Sequence, residues 1–113
     1  MAEKGIFKVL IVDDEPDARS LLRALCEEID NVEVVGEATQ CEEAFYLILD
    51  LIPDLVLLDI NMPGKTGMEL TELMQKRMMD ISVVFVSAHK EYAIEAIQNG
   101  VYDFLLKPVT RED

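Results

Sequence analysis

The hydrophobic residues of this chain fall into two kinds of segment, which alternate along its length. Five short, continuous runs rich in Val, Ile and Leu lie at Phe7–Val12, Val32–Val35, Leu55–Leu58, Val83–Val86 and Phe104–Leu106. Continuous rather than alternating hydrophobicity is typical of strands that are buried on both faces of a parallel sheet. The pattern therefore predicts five buried, parallel strands.

The segments between these runs carry apolar residues at helical spacing. Pro16 suits the first turn of the first helix, Pro53 ends the second, and Thr66 is a candidate N-cap for the third. The four apolar stripes consist of Ala18, Leu21, Leu22, Leu25, Cys26 and Ile29; of Ala44, Leu47, Ile48 and Leu51; of Leu70, Leu73, Met74 and Met78; and of Ala93, Ala96, Ile97 and Gly100.

Strands and helices thus alternate four times before a fifth strand. Right-handed crossovers between parallel strands place helices on both faces of an open sheet, so we predict one doubly wound α/β domain over residues 1–113. Thr110 is followed by Arg111, Glu112 and Asp113, a sequence typical of a helix N-terminus. We expect a last helix that begins here and is truncated.

Four of the five predicted strands are followed by a notable polar group: Asp13 with Asp14, then Asp59, Ser87 and Lys107. Taken alone, an acidic pair after a strand more often belongs to a turn or a helix cap. A functional site is favoured because such polar groups follow four of the five strands. Ligands of open α/β sheets bind outside the carboxyl ends of the strands. We therefore expect these residues to converge on one crevice.

Three converging carboxylates repel one another unless a cation compensates them. Oxygen ligands without His or Cys nearby favour Mg²⁺ over zinc. A carboxylate can also attack a phosphoryl group, while Mg²⁺ and a lysine neutralise the phosphoryl oxygens. The hydroxyl of Ser87 could donate to one of these oxygens. The set is chemically sufficient for forming an aspartyl phosphate.

Composition narrows the class of protein further. Half of the 113 residues are hydrophobic and the formal net charge is −13, so a packed core is expected but direct contact with nucleic acid or anionic lipid is not. No apolar run reaches the roughly 18 residues of a membrane span, and no signal-peptide core precedes the first strand. Cys26 and Cys41 show no disulfide or metal spacing, which favours the cytoplasm.

Four segments resemble, in order and spacing, the receiver domain of bacterial two-component response regulators: VLIVDDEPDAR, PDLVLLDINMPGKTG, VVFVSAHKEYAIEAI and GVYDFLLKPV. The match runs from about Lys8 to Val109. The resemblance implies a flavodoxin-like sheet of order 2-1-3-4-5, and a switch that takes a phosphoryl group from a sensor histidine kinase. It implies a domain that catalyses only its own phosphorylation and dephosphorylation, and no enzyme acting on a separate substrate.

By this resemblance Asp59 is the phosphoacceptor and Lys107 pairs with the phosphoryl group. Asp14 and Asp59 are Mg²⁺ ligands, Asp14 binding the ion directly, and Asp13 binds it through water. The backbone carbonyl of Asn61 is a further Mg²⁺ ligand.

The resemblance also assigns a switching pair, in which Ser87 moves toward the phosphoryl group and Phe104 turns inward to fill the space. Many relatives carry Tyr at the position of Phe104. Because Phe104 has no hydroxyl, we expect its rotation to be driven by packing alone. Asn61 and His89 stand where the family tunes phosphoryl lifetime. His89 is equally consistent with an exposed residue at a helix start.

The implied partners are a kinase, an output domain C-terminal to this chain, and a second copy bound through the Tyr92–Val101 helix face. Exposed apolar residues on that face are also normal in monomers. The HKEYAIEAI and FLLKP stretches resemble receivers joined to LytTR-type DNA-binding domains, although similar strings precede other outputs, including AAA+ activators. Two other interpretations stay open: a degenerate receiver that binds partners without phosphate, and a haloacid-dehalogenase-like Mg²⁺ phosphatase.

Overall fold

A five-stranded parallel sheet forms the centre of the protein. The computed structural model describes residues 5–59, 67–77, 80–87 and 103–107. The strands are β1 (Phe7–Val12), β2 (Val32–Ala38), β3 (Leu55–Asp59), β4 (Ser82–Ser87) and β5 (Asp103–Leu106). Their order is β2-β1-β3-β4-β5, and every neighbouring pair is parallel. The predicted doubly wound fold is confirmed.

Three helices are described: α1 (Pro16–Glu27), α2 (Cys41–Leu51) and α3 (Gly67–Lys76). Pro16 lies in the first turn of α1, as its fixed φ and missing N–H group predict. Helix α2 ends because Ile52 adopts a left-handed conformation with φ of 47° immediately before Pro53. The predicted helix over Ala93–Gly100, the cap at Thr66 and the helix start at Thr110 lie outside the described residues.

Alternate residues of β1 enter two separate cores on opposite faces of the sheet. Leu10 and Val12 pack with residues of α2 and α3, while Val9 and Ile11 pack with residues of α1. All four are at most 2% exposed. Full burial of such a side chain contributes about 1.5–3 kcal/mol, which explains why the strand is hydrophobic at all four positions from Val9 to Val12. Cys26 and Cys41 are buried in opposite cores and form no disulfide with each other.

Strand β2 is three residues longer than the hydrophobic pattern predicts. The pattern stops at Val35 because Gly36 and Glu37 interrupt it, yet pairing with β1 continues to Ala38 across a register shift. A Cβ at Gly36 would lie 3.2 Å from the side chain of Leu51 and 3.3 Å from that of Leu10. Glycine therefore lets α2 and β1 approach closely here. These three extra residues bring the end of β2 beside Asp13, the first aspartate after β1.

None of the helices in the described part of the chain has both the length and the apolar character of a membrane span.

Candidate acidic site at the carboxyl end of the sheet

Three aspartates converge where β1 and β3 end. Asp13 and Asp14 follow β1 directly, and Asp59 is the last residue of β3, the neighbouring strand. One carboxylate oxygen of each lies within 4.8 Å of the others. Asp13 is fully buried and Asp59 is 6% exposed, whereas Asp14 is exposed. The structure thus brings these residues together at the carboxyl edge of the sheet, as the strand pattern predicts.

Asp13 is held in place through both its backbone and its side chain. Its N–H donates to the carbonyl of Ala38 over 3.0 Å, and its carbonyl accepts a 2.8 Å hydrogen bond from the guanidinium of Arg19. Its Oδ1 accepts the N–H of Glu15 over 2.9 Å, the first hydrogen bond of the turn into α1. The carboxylate therefore has one fixed orientation.

Lys107 supplies a positive charge to this site from the end of β5. Its Nζ lies 3.0 Å from Asp13 Oδ2, 2.6 Å from Glu15 Oε1 and 3.6 Å from Asp59 Oδ2. Its own N–H donates to the carbonyl of Ser87 over 2.7 Å, which fixes the backbone beside β4.

The charges around Lys107 alter two pKa values. Burial by itself lowers the pKa of Lys107, but the hydrogen bond to Glu15 and the negative charges of Asp59 and Asp13 outweigh burial, so the pKa lies above its usual value. The hydrogen bond and charge of Lys107 lower the pKa of Glu15. Both groups are therefore charged near neutral pH.

The second carboxylate oxygen of Asp13, Oδ2, is available to bind a cation. Asp13 Oδ2 is buried and accepts no hydrogen bond within the described residues, because the nearby Lys107 ammonium is poorly aligned with it. Buried carboxylate oxygens normally have such a partner. Together with Asp14 and Asp59 it forms an all-oxygen donor set, the kind that Mg²⁺ prefers. The residues present fit a hard divalent cation.

Ser87 ends β4 and is 1% exposed. It follows Val86, which pairs with Asp59 in the sheet, so its position borders the acidic cluster. Phe104 lies in β5 opposite Phe85, and only its backbone is described. Asn61, His89 and the Tyr92–Val101 face lie outside the described residues.

The sequence pattern missed a second layer of charged residues. Arg19, which holds the carbonyl of Asp13, is itself held by Glu37 of β2 at 3.2 Å. Arg23 pairs with the other oxygen of Glu37. Glu15 was also missed, although it is the third acid in a run that begins at Asp13. That run was the available signal for Glu15; no local pattern pairs Arg19 with a residue 18 positions away.

Comparison with known proteins identifies the class to which this fold and site belong. Residues 9–113 match the family model of the response regulator receiver domain, so the chain belongs to that family. It is therefore a receiver domain of two-component signalling, as the sequence motifs predict.

Curated relatives include transcriptional regulators. The chain is 42% identical over 104 residues to the transcriptional regulatory protein BtsR of Salmonella typhi, covering 92% of this chain and 43% of that protein. It is 45% identical over 106 residues to the positive alginate biosynthesis regulatory protein of Pseudomonas aeruginosa, covering 93% and 43%. The chain thus spans less than half the length of these relatives.

Solved structures of receiver domains share the fold. The signal receiver domain of NarL from Mycobacterium tuberculosis superposes with a TM-score of 0.89 at 32% identity, covering 96% of this chain and 90% of that one.

Proposed function

We propose that this domain is a phosphorylation-dependent signalling switch in which Asp59 accepts a phosphoryl group from the phosphohistidine of a sensor histidine kinase. One observation carries the proposal: the buried carboxylate of Asp59 is the point at which two further aspartates and a lysine converge. Such an arrangement costs stability in a purely structural role, because like charges are packed at the end of a core strand.

The transfer needs little chemistry beyond positioning. A carboxylate oxygen of Asp59 attacks the phosphorus, the bond from phosphorus to the donor imidazole nitrogen breaks, and its electron pair stays on the imidazole. Lys107 lies close enough to move onto a phosphoryl oxygen, since its Nζ is 3.6 Å from Asp59 Oδ2. Asp13, Asp14, Asp59 and the carbonyl of Asn61 would hold Mg²⁺, which neutralises phosphoryl oxygens when bound.

The acceptor is a side chain of the domain itself. Hydrolysis of the aspartyl phosphate restores Asp59, so the domain catalyses only its own modification and is no enzyme toward separate substrates. Asn61 and His89 would set the rate of that hydrolysis.

The signal would leave the site through Ser87 and Phe104. A phosphoryl group adds negative charge and strong acceptor oxygens, which would draw the Ser87 hydroxyl toward Asp59 and let Phe104 turn inward. The recipients would be an output domain C-terminal to this chain, of LytTR type or another type, and a second copy bound at the Tyr92–Val101 face. The similarity to the transcriptional regulatory protein BtsR supports transcriptional control as the output.

Acetyl phosphate with Mg²⁺ tests the proposal directly. We expect intact-mass analysis to find one phosphoryl group per chain, lost in Asp59→Asn and retained in the matched control Asp50→Asn, an exposed aspartate of α2. Equal labelling of both variants would overturn the assignment of Asp59. No labelling of the native protein would favour the degenerate receiver, and repeated turnover of a phosphate ester would favour the phosphatase.

A further inference from the structure

The side chain of Glu15 does not cap the helix that it precedes. It is the N-cap residue of α1, yet its side chain makes no capping hydrogen bond. Ser, Thr, Asp and Asn are the residues that cap helices well. The Glu15 carboxylate instead accepts a 2.6 Å hydrogen bond from Lys107, a residue 92 positions away in the chain.

This contact holds the lysine away from the phosphoacceptor. Of the three carboxylates around the Lys107 ammonium, Glu15 is the nearest at 2.6 Å and Asp59 the farthest at 3.6 Å. Glu15 lies toward solvent, with 63% of its side chain exposed, whereas the side chain of Asp59 is 8% exposed. Lys107 must shift inward from Glu15 to make close contact with a group on Asp59.

We propose that Glu15 competes with a phosphoryl group on Asp59 for the ammonium of Lys107, and thereby lowers the affinity of the site for that group. The inference rests on the proposed function, because the competition requires phosphoryl binding at Asp59. Glu15 is in this sense a positioning residue, which acts through Lys107 and does not touch the reacting atoms.

Beryllofluoride, a stable mimic of the phosphoryl group, measures the competition without turnover. Beryllofluoride is titrated by calorimetry into the native domain and into Glu15→Gln. Saturating Mg²⁺ is present in both titrations, so that a change in Mg²⁺ affinity does not alter the measured affinity for beryllofluoride. Exposed ion pairs change equilibrium constants by a factor of about two to five, so Glu15→Gln should bind more tightly by about that factor. The matched control is Asp17→Asn, which removes the same charge from an exposed residue in the first turn of α1.

The outcomes separate the two proposals. Tighter binding by Glu15→Gln alone supports the competition. Unchanged or weaker binding by Glu15→Gln, or equal tightening by Asp17→Asn, overturns it while leaving the switch intact. Failure of the native domain to bind beryllofluoride overturns the proposed function, and the competition with it.

A spectroscopic readout tests the same contact in the unphosphorylated protein. The ammonium resonance of Lys107 in ¹⁵N NMR should shift in Glu15→Gln before any ligand is added, and should shift in the native domain when beryllofluoride binds. An ammonium resonance that Glu15→Gln leaves unchanged would contradict the proposal. Because Glu15 is exposed, we expect the variant to fold, which its urea midpoint verifies.

Discussion

The two ends of the sheet use charged residues in opposite ways. At the amino end, Lys8 and Asp54 satisfy backbone groups: the Asp54 carboxylate accepts the N–H of Lys8 over 2.7 Å, and Lys8 Nζ donates to the carbonyl of Leu51 over 3.0 Å. At the carboxyl end, Asp13, Asp14 and Asp59 face one another instead.

The difference helps to separate structural charges from functional ones. At the amino end, each side chain completes the hydrogen bonding of a strand or helix terminus, so local stability explains it. At the carboxyl end, the buried Oδ2 of Asp13 accepts no hydrogen bond in the described structure, and like charges lie within 4.8 Å of one another. Stability alone does not explain that arrangement, whereas the proposed binding of a cation and a phosphoryl group would.

The largest expected effect is stabilisation of the native domain by Mg²⁺. A ligand present at about 100 times its Kd raises the free energy of unfolding by about 2.7 kcal/mol. Urea unfolding with MgCl₂, compared with NaCl at equal ionic strength, should detect this gain. Asp14→Asn should lose most of it, whereas Asp54→Asn at the other end should retain it. If Mg²⁺ raised the free energy of unfolding equally in both variants, the ion would not bind specifically at the carboxyl end, and the proposed difference between the two ends would be wrong.

A smaller effect is expected at the amino end itself. Asp54→Ala removes the acceptor of the Lys8 N–H, which should lower the free energy of unfolding by about 1 kcal/mol. The loss should be the same with and without Mg²⁺, since Asp54 is not among the residues that could hold the ion. Urea denaturation under both conditions measures it. A loss that depends on Mg²⁺ would mean that the two ends are coupled.

The smallest expected effect is the pH dependence of the Glu15–Lys107 contact. Because the pKa of Glu15 is lowered in the folded protein, the contact stabilises the fold above the unfolded-state pKa of Glu15. This contribution disappears as the pH falls through the lower, folded-state pKa. The urea midpoints of the native domain and Glu15→Gln should therefore differ near neutral pH and converge in acid. A difference that grows with acidity would contradict the sign of the shift.

Much of the fold follows from the sequence because its causes are local. Residues Val9–Val12 are apolar at every position, which indicates burial on both faces, and the structure places alternate members in the two cores. Pro16 marks the start of α1 and Pro53 follows the end of α2, because proline restricts the backbone conformations available at these positions. The strand exits at Asp13 and Asp59 could be aligned because parallel strands place their carboxyl ends at one edge.

The exceptions are features whose cause lies far along the chain. Strand β2 continues past Val35 because β1 pairs with it, although Gly36 and Glu37 look like the start of a loop. Helix α1 ends at Glu27, before the last apolar residue of its predicted stripe, and the chain then turns through Asn31 with φ of 66°. Pairing and turn geometry outweigh the local pattern in both places.

The alternation of strands and helices, the five-stranded α/β class, and the set of aspartates that meets at the edge of the sheet all follow from the order of the residues alone. The contacts of the charged side chains are visible only in the packed fold: Glu15 with Lys107, and Arg19 with Glu37 and the backbone carbonyl of Asp13. Hydrophobic periodicity records whether a residue faces a core, which depends on its immediate neighbours. The partner of a charged side chain depends on distances of a few ångströms between separate elements, which are set only when those elements pack.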